Sequence, residues 1–171
     1  LEKAVPGAGR EGLRTPAALV CSDRAHYACL TVPNWLGLGE DHVVLVPTTD
    51  DNQIRIDELA RRLHEVVASG RRIACIVATM GTTEAFGLDD LEGIVRTRDE
   101  AVREHGLDYI PHVHADAVIG WAWSVFNDYD FEKNELGFRH RTVRALAGAT
   151  RRLRHVGLAD SIGVDFHKTG F

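Results

Sequence analysis

The segment Ile73-Ala74-Cys75-Ile76-Val77-Ala78-Thr79 is the strongest indication of the fold of this chain. It is apolar along almost its whole length, which is typical of a central strand buried on both faces of a parallel sheet. A loop from Gly81 to Gly87 follows, and a helix is then predicted to begin at Leu88-Asp89-Asp90-Leu91 and to run to about His105. The central segment therefore predicts a strand followed by a helix.

The same alternation continues outward on both sides of this unit. Further strands are predicted at Ala17–Cys21, His42–Pro47, Tyr109–Asp116 and Ser161–Asp165. Further helices are predicted from Ser22-Asp23 to about Leu36, from Asp57 to Gly70, and from Thr142 to Val156. Alternating strands and helices predict an α/β fold, with a mostly parallel sheet flanked by helices and all the carboxyl ends of the strands at one edge.

Composition sets limits on the class of protein. The chain has 171 residues, of which 44 % are apolar and 26 % charged, as in ordinary globular domains. The net charge of −5 is spread without a basic face, so nucleic acid is not favoured as a partner. No apolar stretch approaches the roughly 20 residues of a membrane span. Three irregularly spaced cysteines, Cys21, Cys29 and Cys75, suggest reduced thiols and a cytoplasmic protein.

Two segments outside the strands have a simple interpretation. The Gly- and Pro-rich residues 1–16 are predicted to form a connecting loop. The basic run Arg151-Arg152-Leu153-Arg154-His155 is interpreted as a solvated helix face, with an anion site as the alternative.

Polar residues follow the predicted strands. They are grouped at Ser22–His26, Thr79–Thr83, Asp116 and Asp165–Lys168. Because ligands of open parallel sheets bind outside the carboxyl ends of the strands, these groups are expected to meet in one crevice. The amine of Lys168 and the carboxylate of Asp116 are the pair that a pyridoxal phosphate enzyme needs. The amine holds the aldehyde as a Schiff base, and the carboxylate keeps the pyridine nitrogen protonated.

Other interpretations of the same residues stay open. His112, His114 and Asp116 have the i, i+2, i+4 spacing that puts side chains on one face of a strand, so they suit a zinc or iron site and a metal-dependent hydrolase. His26 is either a helix-capping or surface histidine or an imidazole stacked on a flat aromatic ligand. The hydroxyls of Thr82 and Thr83 belong either to a turn or to a site for a cofactor oxygen.

The order of these motifs resembles one family, the group II pyridoxal-phosphate-dependent amino-acid decarboxylases of the aspartate aminotransferase fold type. This family includes the glutamate, tyrosine, aromatic amino-acid and diaminobutyrate decarboxylases. The matching segments are Ser22-Asp23-Arg24-Ala25-His26-Tyr27, Leu36-Gly37-Leu38-Gly39, Val77 to Thr83 with Gly87 and Asp89, His114-Ala115-Asp116-Ala117, and Ala159 to Ile162 with Asp165, His167 and Lys168.

The resemblance implies a role for each matching residue. Lys168 would carry the Schiff base with pyridoxal 5′-phosphate, Asp116 would pair with the pyridinium nitrogen, and His26 would stack on the ring and help with protonation. Further positions that would lie near the cofactor or its phosphate are Thr83, Ser161, Asp165 and His167. Val118 and Phe166 depart from the family pattern. These two departures would affect the tilt of the cofactor and the choice of substrate.

The resemblance also implies an activity and a context. Residues 1–171 would be the central part of a cofactor-binding large domain, with the phosphate loop upstream and a small domain downstream, both absent from this chain. The complete enzyme would be a cytoplasmic homodimer that decarboxylates a small-molecule amino acid to an amine and CO₂, with no metal, nucleic acid or membrane involved. The fragment alone is expected to be inactive. Alternatives are another pyridoxal-phosphate-dependent lyase of the same fold, the metal-dependent hydrolase, and a non-catalytic truncated paralogue.

Overall fold

A five-stranded parallel sheet forms the centre of the molecule, with the strand order β2-β1-β3-β4-β5. The computed structural model describes residues 16–169, so the predicted loop of residues 1–16 lies outside them apart from Pro16. The strands are β1 (Ala17–Ser22), β2 (Val43–Val46), β3 (Arg72–Thr79), β4 (His112–Asp116) and β5 (Ser161–Gly163). The predicted parallel α/β sheet is confirmed, and the apolar segment Ile73–Thr79 lies in its middle strand.

Helices connect the strands and flank the sheet. The α-helices are α1 (Ala28–Trp35), α2 (Ile56–Ala68), α3 (Leu91–His105), α4 (His140–Leu153) and α5 (Phe166–Thr169). Short 3₁₀ helices occupy Glu40–His42, Gly120–Phe126 and Arg154–Leu158. Among the described residues, no helix is both long and apolar enough to cross a membrane.

Several element boundaries differ from the prediction, including those of helix α4, which begins two residues and ends three residues earlier than predicted. Helix α1 begins at Ala28 and not at Ser22-Asp23, because the Asp23 carboxylate accepts a hydrogen bond from the Thr48 hydroxyl (3.0 Å) and does not cap the helix. Strand β4 begins after Pro111, which has no N–H to donate to a neighbouring strand. Strand β5 ends at Gly163, two residues before the predicted end.

One face of the sheet carries the hydrophobic core. Val20, Ile76 and Val113 are partners in neighbouring strands, and all three are fully buried. They belong to one cluster with Leu63 of α2 and Ile94 of α3. Full burial of such a side chain contributes about 1.5–3 kcal/mol, so this face supplies most of the apolar stabilisation.

The opposite face is polar and only partly covered. Strand register places Cys21, Val77, His114 and Ser161 in one row across β1, β3, β4 and β5. Helix α1 lies over the β1 end of this row, where the thiol of its residue Cys29 is hydrogen-bonded to Cys21. The β4 end of the row is more open, and its histidines are accessible.

Candidate active site

The predicted site residues follow strands that end at a single edge of the sheet. Because the strands are parallel, Ser22, Thr79 and Asp116 all mark the carboxyl ends of neighbouring strands. Thr79 is the register partner of Asp116, and Asp116 is the partner of Gly163. The segments that follow these ends contain His26, Thr83 and Asp165–Lys168.

Asp116 presents a half-buried carboxylate with free acceptor capacity. Its Oδ1 atom accepts a hydrogen bond from the Val118 backbone N–H at 3.3 Å. Its backbone carbonyl oxygen accepts one from the Met80 N–H at 2.9 Å, which ties the end of β4 to the end of β3. Within residues 16–169 the carboxylate has no other hydrogen-bond donor, so it can still accept one from a ligand.

The neighbouring hydroxyl of Thr79 is buried and unpaired. Thr79 is 2 % exposed, and its Oγ1 atom has no hydrogen-bond partner among the described residues. Leaving a buried polar group unpaired costs about 1–3 kcal/mol. An unpaired hydroxyl beside a carboxylate fits a heteroaromatic ligand that carries an N–H and an oxygen, and pyridoxal phosphate is such a molecule.

The turn that precedes α1 holds His26 at the same edge. His26 is half-buried, its Nδ1 atom accepts a hydrogen bond from the Ala28 N–H at 3.2 Å, and its ring lies 4.2 Å from that of Tyr27. The hydrogen bond that fixes Nδ1 leaves Nε2 available to a ligand. His26, which was predicted from the sequence to stack on the cofactor ring and to move protons, therefore has a free ring nitrogen that is compatible with this role.

Cys29 is a site neighbour that sequence reasoning missed. Its hydrogen bond with Cys21 lowers its pKa, while burial and the charge of Asp116 act in the opposite direction. The charge of Asp116 therefore acts on a thiol at the start of α1. The signal in the sequence that could have identified Cys29 is its position three residues after His26, which is about one helical turn.

Hydrogen bonds and ring packing hold the segment after β5 against the rest of the molecule. Asp165 Oδ1 accepts a hydrogen bond from the His167 N–H at 3.1 Å and lies 2.7 Å from its Nδ1 atom. The Asp165 carbonyl accepts a hydrogen bond from Trp121 Nε1 at 3.1 Å, and the Trp121 ring packs against Phe166. Trp121 therefore supports the start of helix α5, which carries Lys168. The Lys168 side chain itself is exposed, and it has no partner in the described part of the chain.

Ser161 lies deeper in the sheet than the other predicted cofactor residues. Its hydroxyl oxygen is 2.7 Å from His112 Nε2 and 2.8 Å from His114 Nδ1. The three residues proposed for a metal do share one face of β4, but both imidazoles are engaged by Ser161. No group of three or more His, Cys, Asp or Glu among residues 16–169 is arranged to hold a metal ion, so the hydrolase alternative has no support.

Asp89 fixes the end of the central strand. It is fully buried, and its two oxygens accept hydrogen bonds from the backbone N–H groups of Ile54 (2.6 Å) and Thr79 (2.7 Å). Burial raises the pKa of Asp89 to about 7, against the opposing effect of these two donors. The carboxyl group therefore joins the loop before α2 to the position beside Asp116.

Two glycines allow the loops after β3 and β4 to touch through their backbones. A Cβ atom on Gly120 would lie 1.5 Å from the Met80 carbonyl oxygen, so no side chain fits there. Gly81 has a φ of 134°, and a Cβ atom on it would lie 2.8 Å from the Gly120 nitrogen.

The two threonines of the loop after β3 differ in exposure. The buried Thr82 hydroxyl accepts a hydrogen bond from the Gly87 N–H (2.9 Å), whereas Thr83 is exposed. Of these two threonines, Thr83 is the one accessible to a ligand.

The parallel sheet with flanking helices and a carboxylate, an imidazole and a lysine at its carboxyl edge defines a class, the pyridoxal-phosphate-dependent enzymes of fold type I. Residues 3–126 match the family model described as the pyridoxal-dependent decarboxylase conserved domain. The chain belongs to this family, and pyridoxal phosphate is the cofactor that its membership indicates.

Proteins similar to this chain carry decarboxylase names. The L-2,4-diaminobutyrate decarboxylase of Acinetobacter baumannii is 31 % identical over 153 residues, which are 90 % of this chain and 24 % of that protein. The crystal structure of mouse CSAD has a TM-score of 0.64 at 27 % identity, over 95 % of this chain and 29 % of the other. The glutamate decarboxylase domain of a Vibrio parahaemolyticus diaminobutyrate-pyruvate transaminase and L-2,4-diaminobutyrate decarboxylase has a TM-score of 0.66 at 27 % identity, over 94 % and 29 % of the two chains.

Each of these matches covers only part of the similar protein. The chain spans about a quarter of the length of the curated relatives it matches. The family and the fold follow from these matches.

Proposed function

We propose that residues 1–171 are the central part of the large domain of a pyridoxal-phosphate-dependent amino-acid decarboxylase. The observation that carries this proposal is the half-buried Asp116 carboxylate, which can still accept a hydrogen bond. Asp116 ends β4 beside Gly163, the last residue of β5, and β5 is the strand that leads to Lys168. Family membership supports it. Relatives named as diaminobutyrate, tyrosine and cysteine sulfinic acid decarboxylases support the same reaction type.

Each site residue has a physical task in this proposal. The Lys168 amine would hold the aldehyde of the cofactor through a covalent bond, and its exposed side chain is free to do so. The Asp116 carboxylate would accept a hydrogen bond from the pyridine N–H and keep that nitrogen protonated. His26 would lie against the ring and move a proton through its Nε2 atom. The cofactor would supply an electron sink for the pair released when the bond between Cα and the carboxylate breaks.

The remaining predicted residues would hold the cofactor. Asp165 orients His167 through contacts with both its backbone N–H and its ring, which supports a role for this pair beside the phosphate. The exposed Thr83 hydroxyl would reach a cofactor oxygen. For Ser161 we propose an indirect contribution at the border of the site, because its hydroxyl is shared between His112 and His114.

The proposal extends to the whole protein. A phosphate-binding loop before the chain and a small domain after it would complete a homodimeric enzyme that converts a small amino acid to an amine and CO₂. We propose a cytoplasmic location, because reduced thiols fit the three free cysteines better than an oxidising compartment does. The chain alone would be inactive, since the proposed phosphate loop lies outside it.

Borohydride reduction tests the cofactor and its anchor. The complete enzyme would be saturated with pyridoxal phosphate, reduced with borohydride, digested and examined by peptide mass spectrometry. We expect a pyridoxyl adduct on Lys168 that is lost in Lys168→Ala. Lys133→Ala is the matched control, because Lys133 is an exposed lysine that pairs with Asp130 and is not among the residues proposed to hold the cofactor. A folded, saturated enzyme without an adduct on Lys168 would rule out the proposed anchor.

An amino-acid panel with CO₂ detection tests the reaction. Release of CO₂ from one amino acid, with formation of its amine, would support the decarboxylase. An enzyme that carries the adduct and consumes an amino acid without releasing CO₂ would be another pyridoxal-phosphate-dependent lyase. A complete chain that binds no cofactor would indicate the non-catalytic paralogue.

A further inference from the structure

Helix α4 presents a stripe of arginines and small residues along one side of a cavity of about 560 Å³. The residues of α4 that line it are Arg141, Arg144, Ala145, Gly148, Ala149, Arg151 and Arg152. The opposite wall comes from the loop before α2, with Asp51 and Gln53, and from residues 85–88 after β3. We call this cavity the arginine groove.

The charge in the groove is strongly unbalanced. Four guanidinium groups line it, and Asp51 is the one acidic residue among its lining residues. Arg141, Arg144 and Arg151 are exposed, and within residues 16–169 none of them has a hydrogen-bond or ion-pair partner. Like charges held this close repel one another, so an anion in the groove would replace repulsion by attraction.

The floor of the groove is open because its residues are small. A Cβ atom on Gly148 would meet only Arg152 Nη1, at 4.0 Å. A glycine inside a helix is about 0.5–1 kcal/mol less favourable than an alanine, so helix stability does not explain Gly148. An open floor between two pairs of arginines does explain it, because a ligand can then reach the helix surface.

We propose that the arginine groove binds a small polyanion of the phosphorylated class, and this goes beyond the proposed decarboxylase. Guanidinium groups are planar forks that bind phosphate oxygens in bidentate fashion. The volume falls in the range of about 300–1,000 Å³ that is typical of small-molecule sites. None of the residues proposed to hold the cofactor lines the groove, so its ligand is distinct from the cofactor phosphate.

Titration with pyrophosphate tests the site. The complete protein, already saturated with pyridoxal phosphate, would be titrated by isothermal calorimetry. We expect saturable binding that weakens as the salt concentration rises. The double variant Arg144→Gln/Arg151→Gln should raise the Kd at least about tenfold, because two charge-assisted contacts are lost. Arg103→Gln is the matched control, since Arg103 is exposed on α3 outside the groove, and should leave the Kd unchanged.

A steric variant separates the shape of the groove from its charge. Gly148→Leu keeps every arginine but fills the open floor, so pyrophosphate binding should be lost. Gly148→Ala adds one methyl group into free space and should leave the Kd within about twofold, since no contact closer than 4.0 Å arises. Circular dichroism would verify that both variants fold.

Two outcomes would overturn the proposal. The first is no saturable pyrophosphate binding by the complete protein, as expected if an acidic segment of that protein fills the groove. The second is binding that neither the double arginine variant nor Gly148→Leu weakens, which would place the anion elsewhere.

Discussion

The two faces of the sheet use the same strands for different purposes. In β4, Val113 and Ala115 are fully buried on the face that packs against the helices. The alternate residues His112, His114 and Asp116 point to the other face, where they are exposed or half-buried. Because side chains alternate along a strand, one five-residue segment supplies both core and site. A shift of register by one residue would exchange the two sets.

The edge strands of the sheet are incompletely covered. Val46 of β2 is fully buried, whereas its neighbour Leu45, the register partner of Cys21 on the polar face, is 43 % exposed. At the other edge, Ile162 of β5 is the register partner of Ala115 on the core face, and it is 46 % exposed. Parallel sheets are ordinarily covered on both faces, so these apolar side chains support the proposal that further parts of the enzyme pack against the edge strands.

A charge on the core face should have the largest effect. Ala115→Asp would place a carboxylate among buried aliphatic side chains without a partner, at a cost of about 5 kcal/mol or more, which approaches the whole stability of a typical domain. We expect the complete enzyme to lose soluble, cooperatively folded protein in thermal unfolding measurements. The control is His112→Asp, an exposed site on the opposite face of the same strand, which should fold normally. Normal folding of Ala115→Asp would contradict the assignment of the core face.

The buried carboxyl group of Asp89 should make stability depend on pH. Its pKa is about 7 in the folded protein against an ordinary value of 3.8, so between these values the folded state binds more protons than the unfolded state. Stability from this group is therefore fully present below pH 3.8 and is lost as the pH rises through about 7. The loss is at most about 4 kcal/mol.

Melting temperatures of the complete enzyme from pH 4 to 8 would measure this effect. Asp89→Asn should remove this part of the pH dependence. Asp90→Asn is the control, because the half-buried Asp90 caps α3 through the Gly93 N–H and an amide oxygen preserves that bond. If wild type instead became more stable relative to Asp89→Asn as the pH rises, the two backbone donors would outweigh burial.

Removing the charge at the strand edge should impair chemistry more than folding. Asp116→Asn keeps the shape of the side chain but, under the proposed function, would no longer hold the ring nitrogen protonated. We expect kcat for decarboxylation to fall by about 100-fold or more, or roughly 3 kcal/mol, with the melting temperature nearly unchanged. The borohydride adduct on Lys168 should still form, because the amine is intact. Equal losses of adduct and activity would instead assign Asp116 to cofactor capture.

A smaller effect is expected where β5 joins the core. Asp160 Oδ2 accepts hydrogen bonds from the Val113 N–H (2.8 Å) and from Arg98 Nη1 (3.1 Å), and Arg98 is nearly buried. Asp160→Ala leaves both donors unpaired and should destabilise the protein by about 2 kcal/mol. Asp160→Asn keeps an acceptor oxygen and should cost about half as much. Amide exchange at Val113 should accelerate in the same order, and unchanged exchange in Asp160→Ala would contradict this role.

Local patterns in the sequence were enough for most of the fold. The apolar runs of β1 and β3 and the helical spacing of Leu59, Leu63 and Val66 in α2 predict elements that the structure confirms to within a residue or two. The carboxyl edge also followed from the sequence, because parallel strands must end together. The strands and helices could be predicted because they depend on residues that are close together in the sequence.

Contacts between distant residues were not predictable in the same way. The start of α1 was wrong because Asp23 binds Thr48, from another loop. The Ser161 hydroxyl is engaged by two histidines of the next strand, which no spacing indicates. The arginines of α4 were interpreted as a solvated face, and only the tertiary structure sets them around a cavity.

The order of strands has a consequence for assembly. Strand β3 pairs with β1 across the whole β2–α2 unit, β4 can pair only after β3 is in place, and in the described part of the chain β5 has no partner except β4. Such distant pairings form slowly. The strand that leads to Lys168 therefore cannot dock before β3 and β4 are in place. A nascent or misassembled chain would hold its amine away from the edge until those two strands have paired, so capture of an aldehyde at that lysine would report that this half of the sheet has assembled.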